Sequence, residues 1–326
     1  MATKADIAKL AGVSPATVSN CYTGNKTISP DVNQRIIEAA KALGYPLPNQ
    51  LRGSRTESMH IFFIVDDVYN PHYGDIITGM NSVAVPAGIC VSMMEIWNDI
   101  PAFCKMLVKQ QASAVYFATY HHNIPKEQIA FLNANGIETF FEWDSFFIDF
   151  QQLMTKAITY LKELGHTKIA YMSGLSLGDP NNLRYKIFAQ VSEELGLLRE
   201  NIMIIDGIFP YKTDAKSGYW CMKNFLKTDP DFTALITIND LMAIGAINAM
   251  AESSLSVPDD VSVIGCDDII LSEFLSPSLT TLNFSAKDIG VRTMYAILQR
   301  RRDCVLEPIE LHTNMIIRKS TGKAPR

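Results

Sequence analysis

The chain has 326 residues, 48% of them hydrophobic and 19% charged, so it can bury a sizeable core and is not disordered as a whole. Its net charge of −5 argues against a uniformly basic nucleic-acid binder, yet residues 1–58 carry seven Lys/Arg against four Asp/Glu while the remainder carries 22 against 30. That is a basic end on an acidic body, and the length itself calls for two or three folded units.

The opening residues, MATKADIAKLAG, hold no long apolar run, and no stretch of about 18 uncharged apolar residues follows. Neither a secretory signal nor a membrane span is expected. The six cysteines are scattered, without Cys-x-x-Cys pairs or zinc-like spacing, which suits reduced thiols in a cytoplasm.

Thr3 and Asp6 form a helix-start signal, followed by Ile7, Leu10 and Ala11 at helical spacing. Gly12-Val13 makes a tight break, and Ser14 caps a second helix with Pro15 at its first position. Ser29-Pro30 repeats the device, with Val32, Ile36, Ala40 and Leu43 on one face until Gly44. Two short helices across a tight turn, then a third, give helix-turn-helix geometry. At about 100° per residue, Val18, Cys21 and Tyr22 share a face that suits a small core with Ile7 and Leu10. Ala16, Ser19 and Asn20 fall opposite. From Gly12 to Gly24 there is no charged residue at all.

Residues 46–58, PLPNQLRGSRTES, read as a linker. Beyond it, apolar runs alternate with amphipathic stretches: MHIFFIV, ICVSMM, SAVYFAT, IETFFEW, KIAYMS, NIMIID, TALITI and VSVIGC, each followed by a helical segment. Buried strands alternating with helices predict parallel sheets with helices on both faces, and eight strands suggest two lobes. The expected fold is a small all-α helix-turn-helix head (1–45), a linker (46–58) and an α/β core of two parallel-sheet lobes (59–326). Ligands in such sheets bind beyond the carboxyl ends of the strands.

Enzyme readings are weak. Gly174-Leu-Ser176-Leu-Gly178 matches a nucleophile elbow after the strand KIAYMS, but the only later histidine is His312 and no helix follows at once. A serine hydrolase using Ser176 is therefore a minor alternative. No dinucleotide or Walker sequence is present, and His121-His122 lacks a partner at metal-ligand spacing, so neither cofactor nor metal is expected.

In combination, DIAKLAGVSPATVS, LGYPLPN, NPHYGDIITGM, NDLMAIGAINAM, VPDDVSVIGCDD, PSLTTL and MIIRKST, in that order, resemble the LacI/GalR family of transcriptional regulators over essentially the whole chain. The resemblance, with that family's periplasmic-binding-protein-like core, implies a cytoplasmic homodimer on a near-palindromic operator, a repressor controlled by a sugar-like effector between the lobes. A solute-binding protein of the same core fold is the alternative, but it would carry an export signal in place of the head.

The resemblance implies that Pro15, Ala16 and Asn20 reach base edges while Ser14, Thr17 and Ser19 approach phosphates. Many relatives carry Arg where Asn20 stands; Asn pairs with adenine where Arg favours guanine. Positive charge must come from outside the helix, with Lys4, Lys9, Lys26, Arg35, Arg52 and Arg55 as candidates. In the hinge, relatives often carry Ala-Arg-x-Leu, whose Leu wedges into the minor groove. This chain reads Leu51-Arg52-Gly53-Ser54, so Ser54 stands in the wedge position, leaving Leu51 or the two arginines as substitutes, or the segment as a plain flexible tether. In the core, the resemblance implies a cleft built from His72, Tyr73, Asp144, Arg184, Phe209, Asn239, Asp240 and Asp267. Carboxylates and an Arg fork would satisfy ligand hydroxyls, with aromatic faces over C–H surface. His72 replaces a common aromatic and hints at a more polar ligand.

Overall fold

The computed structural model describes residues 3–23, 29–43, 59–119, 124–142, 146–179, 182–300 and 309–325. It divides into two compact units, Met1–Met59 and His60–Arg326.

The first unit holds α1 (Lys4–Ala11), α2 (Pro15–Thr23) and α3 (Pro30–Ala42). Thr3 and Asp6 form a reciprocal capping box, and Gly12 ends α1 at φ +64°, donating its N–H to Ala8 O. Ile7, Ala8, Ala11, Val18, Cys21, Ile36, Ala39 and Ala40 make the core, and the Cys21 thiol donates to Asn33 Oδ1 at 3.0 Å, tying α2 to α3. Leu10 corrects the sequence reading: it is 56% exposed. Ile7, Ala8 and Ala11 already define the inward arc of α1, and Leu10 lies roughly 100° off its centre.

In the second unit, β1 (His60–Val65), β2 (Cys90–Glu95), β3 (Ala114–Ala118) and β4 (Glu138–Phe141) form a parallel sheet ordered β2-β1-β3-β4. Helices α4 (Pro71–Ala84), α5 (Ile100–Lys109) and α6 (Lys126–Ala134) belong to this first lobe. A two-residue strand β5 (Phe146–Phe147) precedes α7 (Phe150–Glu163). The second lobe follows with β6 (Ile169–Met172), α8 (Arg184–Glu194), β7 (Ile202–Ile205), α9 (Ala215–Leu226), β8 (Ala234–Thr237), α10 (Asp240–Glu252), β9 (Ser262–Cys266), α11 (Leu271–Phe274) and β10 (Thr280–Asn283). The chain then returns through α12 (Ala286–Arg300) and β11 (Ile309–Glu310) to β12 (Asn314–Ile316).

The second sheet is ordered β12-β10-β9-β8-β6-β7, parallel except for β12 against β10. The eight strands expected from sequence are all present. β5, β10, β11 and β12 are additional, and β5 pairs with β11, so two of the segments that cross between lobes are bonded to each other.

Two helix pairs are locked by glycines. A Cβ on Gly79 of α4 would strike the Lys287 carbonyl of α12, and one on Gly290 would strike the Ile76 carbonyl in return. Gly218 of α9 and Gly245 of α10 do the same against Met242 and Ala215. α12 is thereby fixed to the first lobe although it follows a strand of the second. Among the described residues no helix is long and apolar enough to cross a membrane, and Cys21, Cys90, Cys104, Cys221 and Cys266 stand outside any disulfide.

Candidate functional site

In the head, Ser14 Oγ accepts the Thr17 N–H at 3.0 Å and lies 2.8 Å from Thr17 Oγ1, so the cap expected from sequence forms. Pro15 and Ala16 are exposed, Thr17, Ser19 and Asn20 half-buried, and Val18 and Cys21 buried, which gives α2 the inward and outward faces that the periodicity requires. Lys4 stands half-buried in the first turn of α1. Lys26, Leu51, Arg52 and Arg55 lie outside the described residues, as do the hinge and Asp144.

The core contains a cavity of about 1150 Å³ between its lobes, bordered by the carboxyl ends of β1, β3, β4, β6, β8 and β9. α4 brings His72 and Tyr73 into it from the first lobe; Asn70 caps that helix by accepting the His72 N–H at 3.1 Å. α8 begins at Arg184, whose guanidinium lies 4.1 Å over the Phe150 ring and donates to Ile238 O at 3.1 Å. Asn239 caps α10, and its amide also donates to Thr213 O at 2.9 Å. Asp267, just past β9, has φ +112°, a strained conformation for a residue with a side chain.

The structure places His72, Tyr73, Arg184, Asn239 and Asp267 together on the lining of this cavity. Two other residues need correction. Asp240 does not line the cavity: it is fully buried, and its carboxylate accepts from Ile269 N at 2.9 Å, Ser272 Oγ at 2.7 Å and Thr281 Oγ1 at 2.6 Å. Phe209 is 81% exposed, edge-on to Tyr211, and outside the lining. It sits on a turn beside the cis bond to Pro210, where no strand end aims it inward.

Other lining residues were missed. Asn182 is buried, its amide donates to Ser173 Oγ at 2.7 Å, and its Oδ1 has no partner among the described residues. It lies in the same NNLRY stretch as Arg184, which was the available signal. Glu142 directly follows β4, and Phe117, Phe141, Phe150 and Phe284 supply aromatic wall. The strand-end positions of Phe117 and Phe141 were readable, whereas Phe150 opens α7 and Phe284 follows β10; which faces turn inward was not.

Burial shapes the electrostatics. His72 is held down to about 4, first by burial and then by Arg184, so it is neutral at pH 7. Asp267 is pushed up to about 7 by burial, with Glu142 adding and Arg184 opposing. The two approach at 3.9 Å between Nδ1 and Oδ1, and because the imidazole is neutral this is not an ion pair. Asp240 is also pushed up to about 7, by burial and by Asp267, against its three hydrogen bonds. Ser176 forms no elbow: its Oγ accepts from Gly178 N at 3.2 Å, and α8 starts only at Arg184.

Residues 3–49 match the family of bacterial regulatory proteins described as the lacI family, and residues 158–321 match the periplasmic binding protein-like domain. The chain is 31% identical to the HTH-type transcriptional repressor PurR of Histophilus somni (strain 2336), over 98% of this chain and 99% of that one. It is 28% identical to the repressor of the same name from Mannheimia succiniciproducens, over 99% of both. Among solved structures, a LacI-family regulator of Enterococcus faecium with bound ribose superposes with a TM-score of 0.69 at 20% identity, covering 81% of this chain and 99% of that one. The lac repressor dimer bound to operator and the anti-inducer ONPF gives 0.68 at 22%, covering 98% and 99%.

Proposed function

The chain belongs to the lacI family of bacterial regulatory proteins and is a DNA-binding transcriptional regulator, and from that premise we propose that a neutral, sugar-like effector in the interlobe cavity controls its grip on an operator. The observation that carries this reading is the meeting of Arg184 and Asp267 from one lobe with His72 from the other, inside a cavity walled by aromatic rings. Hydroxyls would exchange hydrogen bonds with the polar groups while Phe150 and Phe284 cover C–H faces. The related structure with bound ribose supports a small carbohydrate as ligand class.

The chain acts in the cytoplasm as a homodimer, with Ser14, Thr17, Ser19 and Lys4 on phosphates and Pro15, Ala16 and Asn20 at base edges. Lys26, Leu51, Arg52 and Arg55 complete the DNA contacts, and Asp144 the effector contacts. The reading assigns no catalytic role to Ser176. A solute carrier of the same core fold is disfavoured by the match over residues 3–49.

A thermal-shift screen of the full chain against sugars and nucleosides tests the effector, each binder then being added to an operator-binding assay at fixed salt. At about 100-fold above Kd a ligand stabilises by roughly 2.7 kcal/mol. That gain should disappear in Arg184→Ala. A chain whose DNA affinity no binder alters would overturn the effector reading.

A further inference from the structure

His72 and Asp267 face each other across the lobes, one at the start of α4 and the other at the end of β9. At 3.9 Å they stand roughly 1 Å short of a hydrogen bond. His72 Nδ1 is buried and has no hydrogen-bond partner among the described residues, so a small closing movement toward Asp267 would satisfy it. The rings of Tyr73 and Phe284 stand edge-on to the imidazole at 5.6 Å each and hold its plane. Nε2 is then the ring nitrogen left for a ligand.

The pair can bond in two ways. A protonated Asp267 donates its O–H to Nδ1, and the ring hydrogen sits on Nε2. An ionised Asp267 instead accepts from Nδ1–H, and Nε2 is a bare acceptor. We propose that the proton on Asp267 sets the tautomer of His72, and so decides whether the ring offers the cavity a hydrogen-bond donor or an acceptor. In the switch, the carboxylic proton passes to Nδ1 while the Nε2 hydrogen leaves to water. The pair releases one proton in all.

The surroundings put this switch near neutrality. Burial keeps the ring uncharged down to about 4, so it carries a single hydrogen across pH 5–9. Asp267, held up at about 7, changes state inside that window. The titratable and charged neighbours are Arg184 from α8, Tyr73 and Asp75 from α4, Glu142 just after β4, Cys266 at the end of β9 and Asp240 from α10. Arg184 draws Asp267 down and Glu142 pushes it up, so these set the midpoint. The consequence for binding rests on reading the cavity as the effector site. A ligand ether or carbonyl oxygen would bind better on the acid side, an N–H group on the alkaline side, and a hydroxyl on both.

The test needs no ligand, so its failure is distinct from a failed effector search. Long-range proton–nitrogen NMR spectra of the full chain between pH 5 and 9 report the tautomer, with His72 assigned by the signal lost in His72→Gln. The expected result is Nε2–H at pH 5 and Nδ1–H at pH 9, with one midpoint shared with the Asp267 carboxyl carbon. In Asp267→Asn the ring should keep one tautomer throughout. In Glu142→Gln both midpoints should move down together, which serves if the first variant folds poorly. A single tautomer across the range in the unaltered chain, a swap that persists in Asp267→Asn, or a carboxyl midpoint that moves without the imidazole would each overturn the proposal.

Discussion

Asp240 and Asp267 are both buried carboxyls held near 7, yet they serve different ends, because one is surrounded by donors and the other faces a cavity. For Asp267 the sign of the linkage is fixed by burial. Its folded value lies above the ordinary carboxylate range, so the stability it contributes by keeping its proton is complete below that range and is lost as pH rises through about 7. Asn cannot ionise and escapes this loss. The stability of Asp267→Asn relative to the unaltered chain, measured by urea unfolding, should therefore grow between pH 5 and pH 8, by on the order of 1 kcal/mol or more. A constant difference would place the Asp267 carboxyl in the ordinary range. His72 has the opposite sign: its contribution is present above the usual imidazole range and lost as pH falls through about 4. In the head, Asn20 stands half-buried on the outward side of α2. Operator selection with Asn20→Arg should change the preferred base at one position of each half-site from adenine to guanine, because an Arg fork pairs with guanine O6 and N7. Identical selected sequences would remove Asn20 from base reading.

The helix pairs α4–α12 and α9–α10 depend on close backbone approach, and glycine position decides it. Gly245→Ala would drive a methyl into the Ala215 carbonyl, and should cost about 1–3 kcal/mol by overpacking. Gly74→Ala in α4 meets nothing within 4 Å and should be neutral or stabilising by up to about 1 kcal/mol through helix propensity. Urea midpoints of the two variants check both; equal effects would mean that the contact at Gly245 relaxes freely. Elements with local punctuation were legible in the sequence. The Thr3–Asp6 box, Gly12 and the Ser14 cap each lie within a turn of what they stop or start. The eight apolar strand runs were legible for the same reason. β5 and β11 have two residues each and β12 three, too few for a period, while β10 is as long as several legible strands but reads Thr-Thr-Leu-Asn with a single apolar residue, so their pairing is decided by distant partners. Asp240 shows the same limit at a site. Its family position suggested ligand contact, but its donors Ile269, Ser272 and Thr281 come from other elements and turn it into a structural anchor.

The charge distribution separates two tasks that a compact DNA-binding head often combines. Residues 1–58 carry seven Lys/Arg against four Asp/Glu on an otherwise acidic chain, yet α2 has neither acidic residues in its first turn nor basic ones in its last. Affinity from counterion release must then come from outside α2, while α2 itself selects sequence by shape and base edges. The two tasks can be told apart by salt. Each phosphate neutralised contributes about −0.9 to the slope of log K against log salt. If Lys4 neutralises one phosphate in each head of a dimer, Lys4→Gln should flatten the slope by about 2 and weaken binding almost equally on all sequences. A change of about 1 would mean that only one head engages, and no change would move Lys4 off the DNA. Asn20→Ser should do the reverse, altering the preferred base and leaving the slope where it was. A slope that moved with Asn20→Ser would show that α2 reaches the backbone through more than its hydroxyls, and the uncharged helix would then be carrying affinity as well as specificity.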